Sequence, residues 1–181
     1  SAKFAKFAVD AGALVIDNTS HFRMDKDVPL VVPEVNPQDI SQWQKTGIIA
    51  NPNCSTIQMV HILKSLDDAF KLTRVDVATY QAASGAGKEG MEELVAGLQS
   101  FFAFKLDEFK AQTFPHTLAL NVIPHIDVFM ENDYTKEEMK MVNETQKILH
   151  KSLEVSATCV RGRVRTPCAA WTTPSQADSP P

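Results

Sequence analysis

Three cysteines, seven glycines, two tryptophans and two tyrosines are few for a chain of 181 residues. An odd number of cysteines without close pairing argues against a disulfide framework and for a reducing compartment, the cytoplasm. No apolar run approaches the roughly 18 residues of a membrane span, and no signal-peptide pattern opens the sequence, so no membrane partner is expected. Neither sign of charge dominates: 18 Lys and Arg against 22 Asp and Glu leave a net −4, which disfavours nucleic acid as the main partner. His116 and His125 each follow a proline and have no acidic partner at metal-ligand spacing, so no metal is expected and both read as structural. What remains is ample apolar content, 44% against 22% charged, enough for the core of a soluble globular chain.

Periodicity gives an α/β order. Phe4, Phe7, Ala8 and Ala11 mark a helix with Gly12 at its C-cap, and Ala13–Asp17 reads as the strand it feeds. Leu30–Val32, between Pro29 and Pro33, predicts a second short strand, and Gly47–Ala50 a third. A helix feeding a parallel-type strand is half of a βαβ unit, so an N-terminal truncation is expected. The turn Asn51-Pro52-Asn53 then leads to Cys54, behind which Ile57, Val60, Leu63 and Leu66 recur at helical spacing. Cys54 thus stands at the mouth of a helix, where unpaired N–H groups and the positive dipole end favour a thiolate. The alternative is a small hydrophobe packed beneath the helix.

Further on, Val75–Tyr80 predicts a strand and Met91, Leu94, Val95 and Leu98 a helix. Between them Gly85, Gly87 and Gly90 spell G-x-G-x-x-G, a dinucleotide fingerprint if a second strand and an acid follow. The run Phe101–Asp107 could be that strand, but it leaves a cramped helix. Thr135 and Glu138 form a capping-box pattern opening another helix, on which Glu137 and Lys140 share a face. By spacing alone that pair is an ordinary exposed ion pair. Val155–Arg161 alternates like a strand. Residues 162–181, with four prolines and little periodicity, read as a disordered tail.

The segment Asn51-Pro52-Asn53-Cys54-Ser55-Thr56 resembles the active-site segment of the aspartate-semialdehyde dehydrogenase family. Similar wording recurs around Asp17–Asp25, Val32–Pro37, Gln81–Gly87, Asn121–Asp127, Glu137–Lys140 and Ala157–Arg161. The resemblance implies residues 1–53 as the C-terminal part of an NADP-binding, Rossmann-like domain. It implies 54–161 as an incomplete catalytic and dimerisation domain with a mixed sheet, and 162–181 as a tail outside the family pattern. It implies Cys54 as nucleophile, Arg23 and Lys140 as phosphate ligands, and Asn53, Gln81, Glu137 and Arg161 as substrate ligands. Ser84 and Gly85 would approach the nicotinamide of NADP(H), and the chain would form a homodimer. The planar guanidinium fork suits phosphate and carboxylate at Arg23 and Arg161, although Arg23 alone would read as a solvated surface residue. In the family a histidine serves as general base seven residues after the last arginine. Here that position is Cys168, and none of His21, His61, His116, His125 and His150 replaces it. Low or absent activity is therefore expected, and the alternative is a non-catalytic relative that pairs with a full-length subunit.

Overall fold

The computed structural model describes residues 1–162 and the backbone of 169–174. The elements are α1 (Ala2–Asp10), β1 (Val15–Asp17), β2 (Ile48–Ala50), α2 (Cys54–Phe70), β3 (Arg74–Ala82), α3 (Gly87–Phe102), α4 (Lys136–Leu149), β4 (Glu154–Gly162) and β5 (Ala169–Pro174). They belong to two compact units. The first takes Ser1–Asp76, Met139–Ser156 and the described residues from Thr172 on; the second takes Val77–Glu138 and the described residues of Ala157–Trp171.

In the first unit β1 and β2 pair in parallel, Val15 opposite Ile48 and Asp17 opposite Ala50. Of the expected strand Leu30–Val32 only Leu30 pairs, as a parallel bridge to Ala50. The flanking prolines explain why: Pro29 and Pro33 lack the N–H groups that would extend a ladder. The main chain around the bridge is still satisfied, since Ala50 N–H donates to the Pro29 carbonyl (2.9 Å) and Val31 N–H to the Ala50 carbonyl (3.1 Å). Ala5, Val28, Leu30, Val32, Ile48, Val60 and Ile148 form the core of this unit. Burying such a side chain contributes about 1.5–3 kcal/mol, which is what holds α2 and α4 to the small parallel sheet.

The second unit carries most of β3, which lies between β4 and β5 in a three-stranded sheet. Its core gathers Ala83, Leu94, Phe114, Leu118 and Ile123. The stripe Met91–Leu98 keeps α3 helical through Phe102, and the chain then turns at Phe104 (φ 57°) into a 3-10 turn at Leu106–Glu108. No strand forms over 101–107, so the second strand that a dinucleotide fingerprint requires is replaced by the end of a helix. Gly87 (φ 77°, ψ −162°) takes a positive-φ conformation open essentially to glycine alone, which serves the tight entry into α3.

Disorder was expected over 162–181, but Gly162 closes β4 and 169–174 forms β5. Trp171, Thr172 and Thr173 belong to the residue types enriched in strands, and a place beside β3 supplies their backbone with partners. The other residues of that expected tail, 163–168 with Cys168 and 175–181, lie outside the described residues. No helix among the described residues is long and apolar enough to cross a membrane.

Candidate active site

In the first unit the turn Asn51–Asn53 leaves β2 and enters α2 with Cys54 as the first helical residue. Asn53 is the N-cap: its side-chain oxygen accepts from the N–H groups of Ser55 (2.9 Å) and Thr56 (3.4 Å). The cap answers two of the orphan donors of the helix. It also fixes the orientation of Cys54, whose thiol is exposed. The alternative of a packed hydrophobe does not describe this cysteine. It describes Cys159, which is fully buried on β4 and whose thiol burial pushes up to about 11.

Arg23 is buried, not a solvated surface residue. Its Nε donates to the Asn51 carbonyl (2.9 Å), Nη1 to Glu144 Oε1 (3.0 Å) and Nη2 to the Asn18 carbonyl (3.0 Å). The arginine is therefore bonded directly to the turn that presents Cys54. Glu144 was missed by motif reading. Its second oxygen accepts from the Asn53 N–H at 2.7 Å. Burial raises the Glu144 carboxyl above its ordinary value, against the opposing pull of the Asn53 N–H and the Arg23 charge. The one available signal was spacing, since Glu144 lies four residues after Lys140, one turn along the same face of α4. Lys140 itself is half-buried.

The second unit gathers another set. Gln81 and Glu137 are both buried, and Gln81 Nε2 donates to Glu137 Oε1 at 3.1 Å. Glu137 is thus a buried carboxylate held by Gln81 rather than an exposed one. The capping box forms as the sequence predicts: Glu138 N–H donates to Thr135 Oγ1 (3.3 Å) and Thr135 N–H to Glu138 Oε2 (2.7 Å). Glu138 Oε1 also accepts from the Cys159 N–H (3.0 Å), which ties the start of α4 to β4 two residues before Arg161. Arg161 is buried, donates from Nη1 to the Ala82 carbonyl (2.7 Å), and lies over the Phe114 ring at 5.9 Å. A Cβ on Gly85 would meet Arg161 Nη1 at 2.8 Å, so the glycine there leaves room for the guanidinium. Ser84 and Gly85 are exposed on the 3-10 turn Ala83–Ala86.

Phe114, Ile123, His125, Asp127, Phe129 and Arg161 line a cavity of about 630 Å³. His125, read as structural from the sequence, lines this cavity, its ring 5.1 Å from Phe129 and 6.4 Å from His116. Glu93 on α3 steadies one wall, its carboxylate accepting from the N–H groups of Gln112 (2.7 Å), Thr113 and Phe114 (3.1 Å). Burial there favours the neutral acid, but these three donors outweigh it and hold the carboxyl below its ordinary range. Among the described residues no group of three His, Cys, Asp or Glu could hold a metal ion.

Comparison with known proteins gives the chain its relatives. The family profile described as the semialdehyde dehydrogenase dimerisation domain matches residues 63–164, more than half of the chain. The profile of the semialdehyde dehydrogenase NAD binding domain matches residues 1–43. The aspartate-semialdehyde dehydrogenase of Campylobacter jejuni is 81% identical over 161 residues, covering 89% of this chain and 47% of that protein. The crystal structure of aspartate semialdehyde dehydrogenase II from Vibrio cholerae matches with a TM-score of 0.87 at 54% identity, over 90% of this chain and 48% of the other; it is also known complexed with ASA. The Candida albicans enzyme, solved with NADP, matches with a TM-score of 0.69 at 28% identity, over 99% of this chain and 48% of that one. The chain thus spans about half the length of the relatives it matches. With the dimerisation-domain profile matching more than half of its residues, the chain belongs to the semialdehyde dehydrogenase family.

Proposed function

We propose that the chain carries the nucleophile and substrate-binding residues of an aspartate-semialdehyde dehydrogenase, which converts L-aspartyl-4-phosphate to L-aspartate 4-semialdehyde. In this reading residues 1–53 are the end of the NADP-binding domain and 54–161 the catalytic and dimerisation part, a division supported by the two profile matches. The observation that carries the reading is the turn at Cys54: an exposed thiol on the first residue of a capped helix, with a buried arginine bonded to the same turn.

Cys54 Sγ forms a bond to the acyl carbon as the bond from that carbon to the phosphate oxygen breaks, giving a thioester and free phosphate. Arg23 and Lys140 bind the departing phosphate as cations. Asn53 orients the substrate beside the thiol. Gln81 offers an amide, Glu137 an anion for the amino group, and Arg161 a fork for the carboxylate, with Gly85 leaving the space that the fork occupies. NADP(H), when bound, supplies the hydride for the aldehyde, and the exposed turn at Ser84 and Gly85 fits a close backbone approach to it. The cytoplasm is the compartment proposed for a chain whose three cysteines show no close pairing.

The test is NADP reduction by the purified 181-residue chain with aspartate semialdehyde and phosphate, against a Cys54→Ala control. With Cys168 at the family's base position, turnover is expected at about 10²–10⁴-fold below that of an intact relative. A rate unchanged in the control refutes the nucleophile assignment. No turnover at all favours a second reading, a non-catalytic chain that pairs with a full-length subunit. The exposed Ala78, Tyr80 and Thr158 on β3 and β4 support such pairing, as they do a homodimer. A size measurement after mixing with an intact relative distinguishes them: mixed dimers support the second reading, and no exchange counts against it.

A further inference from the structure

Glu144 and Lys147 stand three residues apart on one face of α4, and no motif pointed to either. Glu144 is 1% exposed and divides its two oxygens between Arg23 Nη1 and the backbone N–H of Asn53, the residue that caps the Cys54 helix. Lys147 Nζ donates to three carbonyls of one loop, those of Arg23 (2.7 Å), Asp25 (2.6 Å) and Val28 (2.9 Å). Together they fix Arg23 from both ends, by its guanidinium and by its own main chain.

Stability alone is a weak reason for this arrangement. Replacing a buried ion pair by packed apolar groups is often neutral or stabilising. What the pair provides and apolar groups cannot is a set of directed bonds that ties the Arg23 loop to the Cys54 turn. Of the five N–H donors of Arg23, three are used by Asn51, Glu144 and Asn18, which leaves two for an anion.

We infer that Glu144 and Lys147 are positioning residues, holding the Arg23 guanidinium and the Cys54 turn in fixed register so that nucleophile and anion site meet one substrate. This rests on the assignment of Cys54 and Arg23 above. Glu144 acts through Asn53 and Arg23, Lys147 through the loop, and neither needs to touch the substrate.

The experiment is alkylation of Cys54 by iodoacetamide in the full 181-residue chain, between about pH 5 and 9, with peptide mass mapping to separate Cys54 from Cys159 and Cys168. Glu144→Gln keeps the volume but has one acceptor oxygen where two donors wait. Its reactivity midpoint is expected to differ from that of the unsubstituted chain by at least about half a pH unit. Lys147→Met should move the midpoint the same way and Lys147→Arg restore it. Coincident midpoints in Glu144→Gln and the unsubstituted chain overturn the inference. Should Glu144→Gln fail to fold by circular dichroism, the Lys147 variants decide, and identical behaviour of Met, Arg and Lys there overturns it. Inorganic phosphate separates the inference from the reading beneath it. Phosphate should protect Cys54 in the unsubstituted chain, with about tenfold more needed in Glu144→Gln. Absence of protection in the unsubstituted chain refutes the anion role of Arg23, while a midpoint shift would still support the positioning role. Protection at full strength in Glu144→Gln overturns the positioning role.

Discussion

Gly85→Ala is the substitution that tests the contact between the turn after β3 and the Arg161 guanidinium. A methyl group there would sit 2.8 Å from Arg161 Nη1, closer than real Cβ contacts allow, so one of the two must move. The backbone at Gly85 is not left-handed, so alanine itself costs little, and the guanidinium gives way. Moving it disturbs the 2.7 Å bond to the Ala82 carbonyl and the stacking on Phe114. A hydrogen bond from a charged group contributes about 1.5–3 kcal/mol. Loss of about 2 kcal/mol in a chain of this size corresponds to a drop of roughly 4–8 °C in Tm. The assay is a double-mutant cycle by thermal denaturation, with Gly85→Ala, Arg161→Met and the pair. If the cost arises from Arg161, Gly85→Ala becomes nearly neutral in the Arg161→Met background. An equal cost in both backgrounds refutes the reasoning and places the strain in the turn itself.

Asn53→Ala removes both cap bonds from α2 and is expected to cost about 1 kcal/mol, read as a lower urea midpoint. Glu144 sets a pH dependence in the first unit. Its carboxyl is raised in the folded chain, so the native state holds that proton more tightly than the unfolded one. Its contribution is fully present below the ordinary carboxylate value and falls as pH rises through the raised one. Urea midpoints should therefore decline over that window, and Glu144→Gln should flatten the slope; an unchanged slope in the variant counts against it. Cys159, pushed up to about 11 and buried, should resist a thiol reagent near neutral pH while Cys54 reacts. Equal labelling of the two in the folded chain would contradict the burial.

The local geometry of two motifs was legible in the sequence. A strand, an Asn-Pro-Asn turn and a helical stripe are enough to place Cys54 at a helix start, and Thr135 with Glu138 is enough for a capping box. The spacing of Glu137 and Lys140 was legible but its meaning was not, because an exposed ion pair and a buried carboxylate bonded to Gln81 share the same three-residue interval. The glycines between β3 and α3 show the same limit. Their pattern suited a dinucleotide turn, and only the helix running on to Phe102 and the guanidinium against Gly85 gave them another reason.

The sequence by itself determined the helices α1 to α4 and most of the strands between them, the helix start at Cys54 and the family wording around it. These follow from interactions within a few residues, whose periods and turn chemistry are written along the chain. Only the tertiary structure decided that Arg23 is buried on Glu144, 121 residues away, that Lys147 gathers three carbonyls of a distant loop, and that Ala169–Pro174 forms a strand of the sheet. Such pairings have no local period. They arise because a buried charge or an open strand edge must find a partner, and the partner is whatever the fold brings within reach.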